Sequence, residues 1–213
     1  MARIKGGILG KMSGKSGPVV GAINRGVNIL KTAPLKSIKR ARNGPQTQNY
    51  RIGVMRPFLK IIEKALAVGY KNVKSTLSTM NQAMSYNTVT ALRGQEPNFE
   101  VNYPRVLISK GSREPFWALK AELVDRRTFR ISWEVPETAK IKLIGDDMVN
   151  YLCFNETAGK AWFKATGTRK DFSTDCVLPA NFPAGLVHIW VFFESPDGKN
   201  TSRSDYLGSV LFS

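Results

Sequence analysis

The apolar positions of this chain repeat at two different periods. From Phe58 they recur at helical spacing: Phe58, Ile61, Ile62, Ala65 and Leu66 share one face, and Leu66, Tyr70, Val73, Leu77, Met80 and Met84 extend it in steps of four and three. The pattern predicts one long helix, or two parted near Gly69, starting near Asn49 or Arg51 with Thr47 or Asn49 as its cap. Pro57 falls where that helix either kinks or restarts. Lys60, Lys64, Lys71 and Lys74 lie largely off the seam, so the seam is expected to pack on the rest of the protein or on a partner subunit.

After Ser85-Tyr86-Asn87 the helical signal fades, residues 93–98 read as a loop, and from residue 99 the period becomes two. Residues 105–109 read as a strand. The clearest alternation is 128–135, where Phe129, Ile131, Trp133 and Val135 face inward and Thr128, Arg130, Ser132 and Glu134 face water. Further strands are expected at 140–144, 149–154, 160–166, 186–194 and 205–212, separated by Gly, Pro and Asp turns. Short strands about ten residues apart, with no helix between them, argue for an antiparallel sandwich.

Residues 1–50 follow neither period. Glycine recurs at 6, 7, 10, 14, 17, 21, 26 and 44, with short apolar patches between, and an extended ribbon or hairpin laid against another surface fits this pattern. The expected class is therefore α+β, mainly β. It comprises a basic Gly-rich N-terminal arm (residues 1–48), a helical segment (49–92) and an immunoglobulin- or fibronectin-like antiparallel β-sandwich (99–213).

Charge sharpens this division. The 213 residues carry 32 Lys and Arg against 16 Asp and Glu, a formal +16. Residues 1–50 hold ten bases and no acid, residues 51–110 nine bases and three acids, and residues 111–213 thirteen of each. The whole excess belongs to the first 110 residues, which therefore favour an anionic partner: nucleic acid, an acidic protein surface or anionic lipid. The candidate anion-binding residues are Lys11, Lys15, Arg25, Lys31, Lys36, Lys39, Arg40, Arg42, Arg51 and Arg56, and the candidate docking residues are Val19, Val20, Ile29, Leu66, Tyr70, Val73 and Leu77.

Candidate chemistry changes little. Gly10-Lys11-Met12-Ser13-Gly14-Lys15-Ser16 resembles a phosphate loop but has three residues, not four, before Gly-Lys-Ser. The single histidine, His188, lies mid-strand with no partner that the sequence nominates, and two Cys with one His fall short of a structural zinc site. Cys153 and Cys176 are expected as buried thiols. Asp146-Asp147, Glu122 with Asp125, and Asp171 with Asp175 read as surface acids, and Trp117, Trp133, Trp162 and Trp190 as core rather than a sugar-binding groove. No cofactor or metal is expected. No signal peptide or membrane span is read, which points to the cytoplasm or the interior of an assembled particle.

One resemblance adds to this. Ile8-Leu9-Gly10, residues 13–21 (Ser-Gly-Lys-Ser-Gly-Pro-Val-Val-Gly), Gly26, Pro45-Gln46-Thr47-Gln48 and Arg51, together with residues 83–87 (Ala-Met-Ser-Tyr-Asn) and 103–111 (Tyr-Pro-Arg-Val-Leu-Ile-Ser-Lys-Gly), are similar to a family of uncharacterised Bacteroidetes proteins of about this length. Residues 43–49 (Asn-Gly-Pro-Gln-Thr-Gln-Asn) depart from that family's Asn before a Pro-x-Thr-x-x-Gln run, with Gln one place early. The resemblance brings no catalytic residue, cofactor or substrate. A looser likeness of the Gly-rich stretch to phage-associated structural proteins points toward assembly. The expected function is a non-enzymatic structural or adaptor protein that docks through its arm and helix. The alternatives are non-specific nucleic-acid binding and a carbohydrate- or surface-binding module.

Overall fold

The computed structural model describes residues 2–4, 12–24, 26–33, 46–71, 76–136 and 141–212, and of residues 2–4, 46, 141 and 142 the backbone only. The chain divides into two compact units, Met1–Gly44 and Pro45–Ser213.

The first unit is a four-stranded antiparallel sheet of β1 (Ala2–Ile4), β2 (Gly14–Ser16), β3 (Val19–Asn24) and β4 (Val27–Thr32), in the order β1-β4-β3-β2. Ser16 pairs with Val19, leaving a two-residue turn whose Gly17 takes φ +57°, and Gly26 at φ +76° turns β3 into β4. Gly21 is buried because the backbone crosses close to it: a Cβ there would lie 2.6 Å from the Met12 carbonyl oxygen. Most of the sheet's remaining side chains are half-buried or exposed.

The second unit is mainly antiparallel β with a helical layer. Helices α1 (Gln46–Ile61) and α2 (Glu63–Gly69) follow one another with a break at Ile62, and α3 (Thr79–Thr90) starts on Ser78, whose Oγ accepts from Asn81 N. Met55, Phe58, Leu59, Ile62, Ala65, Leu66 and Tyr70 form the buried stripe of α1 and α2. Pro57 sits inside α1, which begins three to five residues before the expected start. The predicted break near Gly69 is where α2 ends, and a Cβ on Gly69 would meet the Ile108 carbonyl oxygen at 2.2 Å. Val73 and Lys74 lie outside the described residues.

Strands β5 (Leu92–Gln95) and β6 (Asn98–Val101) form a hairpin where a loop was expected. Two further sheets follow. One is β10-β9-β12-β13, made of β9 (Met148–Asn155), β10 (Lys160–Thr168), β12 (Gly185–Glu194) and β13 (Asp205–Phe212); the other is β11-β8-β7, made of β7 (Trp117–Leu123), β8 (Thr128–Glu134) and β11 (Ser173–Val177). On β8 the alternation holds, with Phe129, Ile131 and Trp133 buried.

The four-stranded sheet is covered on both faces. Leu152, Phe154, Trp190 and Phe192 join the cluster formed with α1, α2 and α3, while Val149, Tyr151, Cys153, Val187, Ile189, Val191 and Phe193 meet Phe129, Ile131, Trp133 and Cys176 of the second sheet. Double-sided burial makes β12 a continuous apolar run rather than an alternating one. Each large side chain so buried is worth about 1.5–3 kcal/mol relative to exposure, so this sheet is the main hydrophobic anchor of the unit.

Two expected strands are corrected. Residues 103–105 form a 3₁₀ turn, and Val106, Leu107, Ile108 and Ser109 are all buried without joining a sheet. Their backbone groups are satisfied by side chains instead: Leu107 by Asn87, and the Ile108 and Ser109 N–H groups by Ser204 Oγ at 3.0 and 3.3 Å. Within 140–144, Ile141–Ile144 is one helical turn. Conversely, β7 and β11 were not expected. Each pairs only with β8, so each is an edge with a weak apolar pattern.

Candidate functional site

Of the candidate anion ligands, Lys11, Arg25, Lys36, Lys39, Arg40 and Arg42 lie outside the described residues. Lys15 on β2 and Lys31 on β4 are exposed, and Val19, Val20 and Ile29 are half-buried. Arg51 is half-buried with its guanidinium 5.2 Å from the Phe99 ring centre, a cation–π contact between α1 and β6. Arg56 faces solvent.

Arg56 and Lys60 of α1 and Lys64 of α2 are exposed at four-residue spacing, away from the buried stripe, with Tyr50 and Ile61 also exposed on α1. Glu63 is the acid within this stretch, yet among the described residues none of the three cations forms an ion pair. Of the helical docking candidates, Leu66 and Tyr70 are fully buried in the unit's own core and Leu77 is 49% exposed. Burial pushes the Tyr70 hydroxyl well above its ordinary value while it donates to Leu107 O at 3.0 Å.

In the β-rich part several charges are paired. Arg130 holds Asp175 through two hydrogen bonds of 2.7 and 2.9 Å, bridging β8 and β11, and Lys170 meets Asp146 at 2.7 Å. Asp147 corrects the expectation of a surface acid. It is fully buried, with Arg113 at 2.9 Å and the equally buried Arg169 at 3.3 Å. Arg169 also donates to the carbonyls of Glu114 and Pro115 and stacks over the Phe193 ring at 3.6 Å. Burial pushes the Asp147 carboxyl above its ordinary value, against the smaller opposing pull of the two guanidiniums. This group closes the loops at 113–115 and 145–147 onto the 169–171 turn. Nothing in the sequence spacing pointed to it, because its three members come from separate loops.

His188 is mid-strand, as expected, and 6% exposed. Its partners are ones the sequence did not nominate: Nδ1 lies 2.8 Å from the Tyr206 hydroxyl, Nε2 lies 3.2 Å from Glu156, and the ring stacks on Tyr103 at 4.0 Å. Both ring nitrogens are therefore engaged. Burial and then the Glu156 charge push the Tyr103 hydroxyl up to about 12. Trp133 and Trp190 are buried, and Trp117 and Trp162 are half-buried. Cys153 and Cys176 are unpaired, buried thiols on facing sheets, both pushed up by burial. Among the described residues no three His, Cys, Asp or Glu side chains come together in a way that could hold a metal ion, and no helix is long and apolar enough to cross a membrane.

A second cationic group stands out only in three dimensions. Arg105 at the end of the 3₁₀ turn, Lys110 and Arg203 before β13 gather near Tyr86 of α3: Lys110 Nζ is 5.5 Å from the Tyr86 ring centre, Arg203 Nη2 is 3.5 Å from the Tyr86 hydroxyl, and Arg105 lines a groove with Tyr86 and Arg203. Residues 86, 105 and 203 belong to three different elements, so nothing in their spacing joins them.

Residues 11–208 match the model of a family described as "Family of unknown function (DUF6266)". No curated protein matches the chain. The match spans nearly the whole chain, and the protein belongs to this family.

Proposed function

We propose that this DUF6266 member is a non-enzymatic structural or adaptor subunit that engages an anionic partner surface through its basic N-terminal half. The observation that carries this reading is the solvent-facing row Arg56, Lys60 and Lys64, unpaired among the described residues, in a chain whose entire charge excess lies before residue 111. Lys15 and Lys31 add exposed cations on the N-terminal sheet. The later half, with bases and acids in balance, would serve as the rigid body. We read its two facing sheets as an immunoglobulin- or fibronectin-like sandwich whose larger sheet carries the helices on its other side.

In this reading, bases steer the encounter and apolar patches such as Val19, Val20 and Ile29 hold it. The test is light scattering coupled to size exclusion at about 0.1 M and about 1 M salt, which spans strong to nearly complete screening. The full chain is compared with one lacking residues 1–44 and with the Lys60→Gln/Lys64→Gln variant. The expected result is an assembly that survives high salt once formed and is lost with the N-terminal unit. A single chain in every sample, releasing nucleic acid only at high salt, would replace this reading with non-specific nucleic-acid binding.

A further inference from the structure

The groove lined by Tyr86, Arg105, Leu107, Arg203, Ser204 and Tyr206 has a volume of about 440 Å³. That is within the range of about 300–1,000 Å³ typical of small-molecule sites. No carboxylate lines it. Among the described residues Arg105, Lys110 and Arg203 form no ion pair. Glu156 is bonded to His188, and half-buried Asp205, two residues beyond Arg203, accepts from the Phe116 backbone and also attracts the Arg203 charge.

The floor is rigid. Leu107 is held on both its N–H and its carbonyl by Asn87 and on its carbonyl also by Tyr70, and Ser204 Oγ accepts from Ile108 and Ser109. Tyr206 is fixed in turn by His188. Two arginines and two tyrosines thus line a pre-formed concavity, and the Lys110 ammonium lies over the ring of one of them, Tyr86. That is more donor capacity than a single carboxylate can use and suits the three oxygens of a phosphoryl group.

We propose that this groove binds a small phosphate-bearing molecule, of nucleotide size or less, with Arg105, Arg203 and Lys110 as its anion ligands and Tyr86 and Tyr206 as its walls. The site goes beyond the docking reading and does not depend on it, because none of its residues belongs to the N-terminal unit or to the Arg56–Lys64 row.

The test is calorimetric titration of the full chain with inorganic pyrophosphate at constant ionic strength. The expected result is saturable one-to-one binding, weakened roughly tenfold or more by Arg203→Gln and by Arg105→Gln, as for loss of a charge-assisted hydrogen bond. Lys60→Gln is expected to leave the affinity unchanged. Thermal melts without ligand check that the variants remain folded, and Tyr86→Phe, which keeps the ring, supplies a milder second variant. No saturable binding, binding indifferent to Arg203→Gln, or equal weakening by Lys60→Gln would overturn the proposal. The last result would place the affinity in the diffuse basic field.

Discussion

Asn87 grips both sides of Leu107: its Oδ1 accepts from the Leu107 N–H at 2.8 Å and its Nδ2 donates to the Leu107 carbonyl at 3.0 Å. The side-chain amide thus does for residue 107 what a neighbouring strand would do, and it joins two of the stretches that resemble the family, 83–87 and 103–111. Replacing Asn87 by Leu leaves a buried N–H unsatisfied and weakens the floor of the cationic groove. The expected loss is about 1–3 kcal/mol, read as a lower urea midpoint at unchanged m-value. A midpoint within error of the parent would show that the segment is held without Asn87.

Gly69 ends α2 against residues 108–109 with no room for a methyl group. Gly69→Ala is expected to cost about 1–3 kcal/mol by overpacking. Gly53, whose added Cβ meets nothing within 4 Å, supplies the control: Gly53→Ala in α1 is expected to be neutral or stabilising by up to about 1 kcal/mol. Thermal melts of both variants check this contrast, and equal effects would contradict it.

Arg169 is buried with Asp147, so removing it leaves the buried carboxylate with Arg113 as its remaining partner and deprives the Glu114 and Pro115 carbonyls of their donor. Arg169→Met is expected to destabilise by about 3–5 kcal/mol, and the double variant with Asp147→Leu by less than the single. Chemical denaturation of the double-mutant cycle reads the coupling. Additive losses would show that the two side chains act independently.

Hydrogen bonds from Arg130 hold the Asp175 carboxyl below its ordinary value. A carboxyl depressed on folding adds stability that is fully present above its unfolded value of about 3.9 and fades as the pH falls through its folded value. Asp175→Asn should therefore flatten part of the acid limb of the stability profile and leave its shape near neutrality unchanged. An NMR titration placing Asp175 at the ordinary value would contradict the assignment.

Both thiols are buried and pushed up, so neither is expected to react with a thiol reagent in the folded protein at pH 8, and both should react on unfolding. A burst of one or two equivalents from the native protein would show that the two sheets open readily.

What the sequence determined by itself is local or additive. Charge sums along the chain, so its confinement to the first 110 residues needed no structure. Period two at residues 128–135 and the 3.6-residue stripe from Phe58 to Tyr70 report one-sided burial directly. Tertiary structure decided what depends on distant partners. Residues 105–109 have strand composition, but Asn87, Ser204 and Tyr70 satisfy the backbone there, and no neighbouring strand is needed. Asp147 reads as a turn acid until Arg113 and Arg169 arrive from other loops. Arg105, Lys110 and Arg203 are unremarkable bases until the fold of the second unit brings them around Tyr86. Periodicity records which side of an element is buried, but what buries it, and which side chains meet there, is set by contacts far apart in sequence.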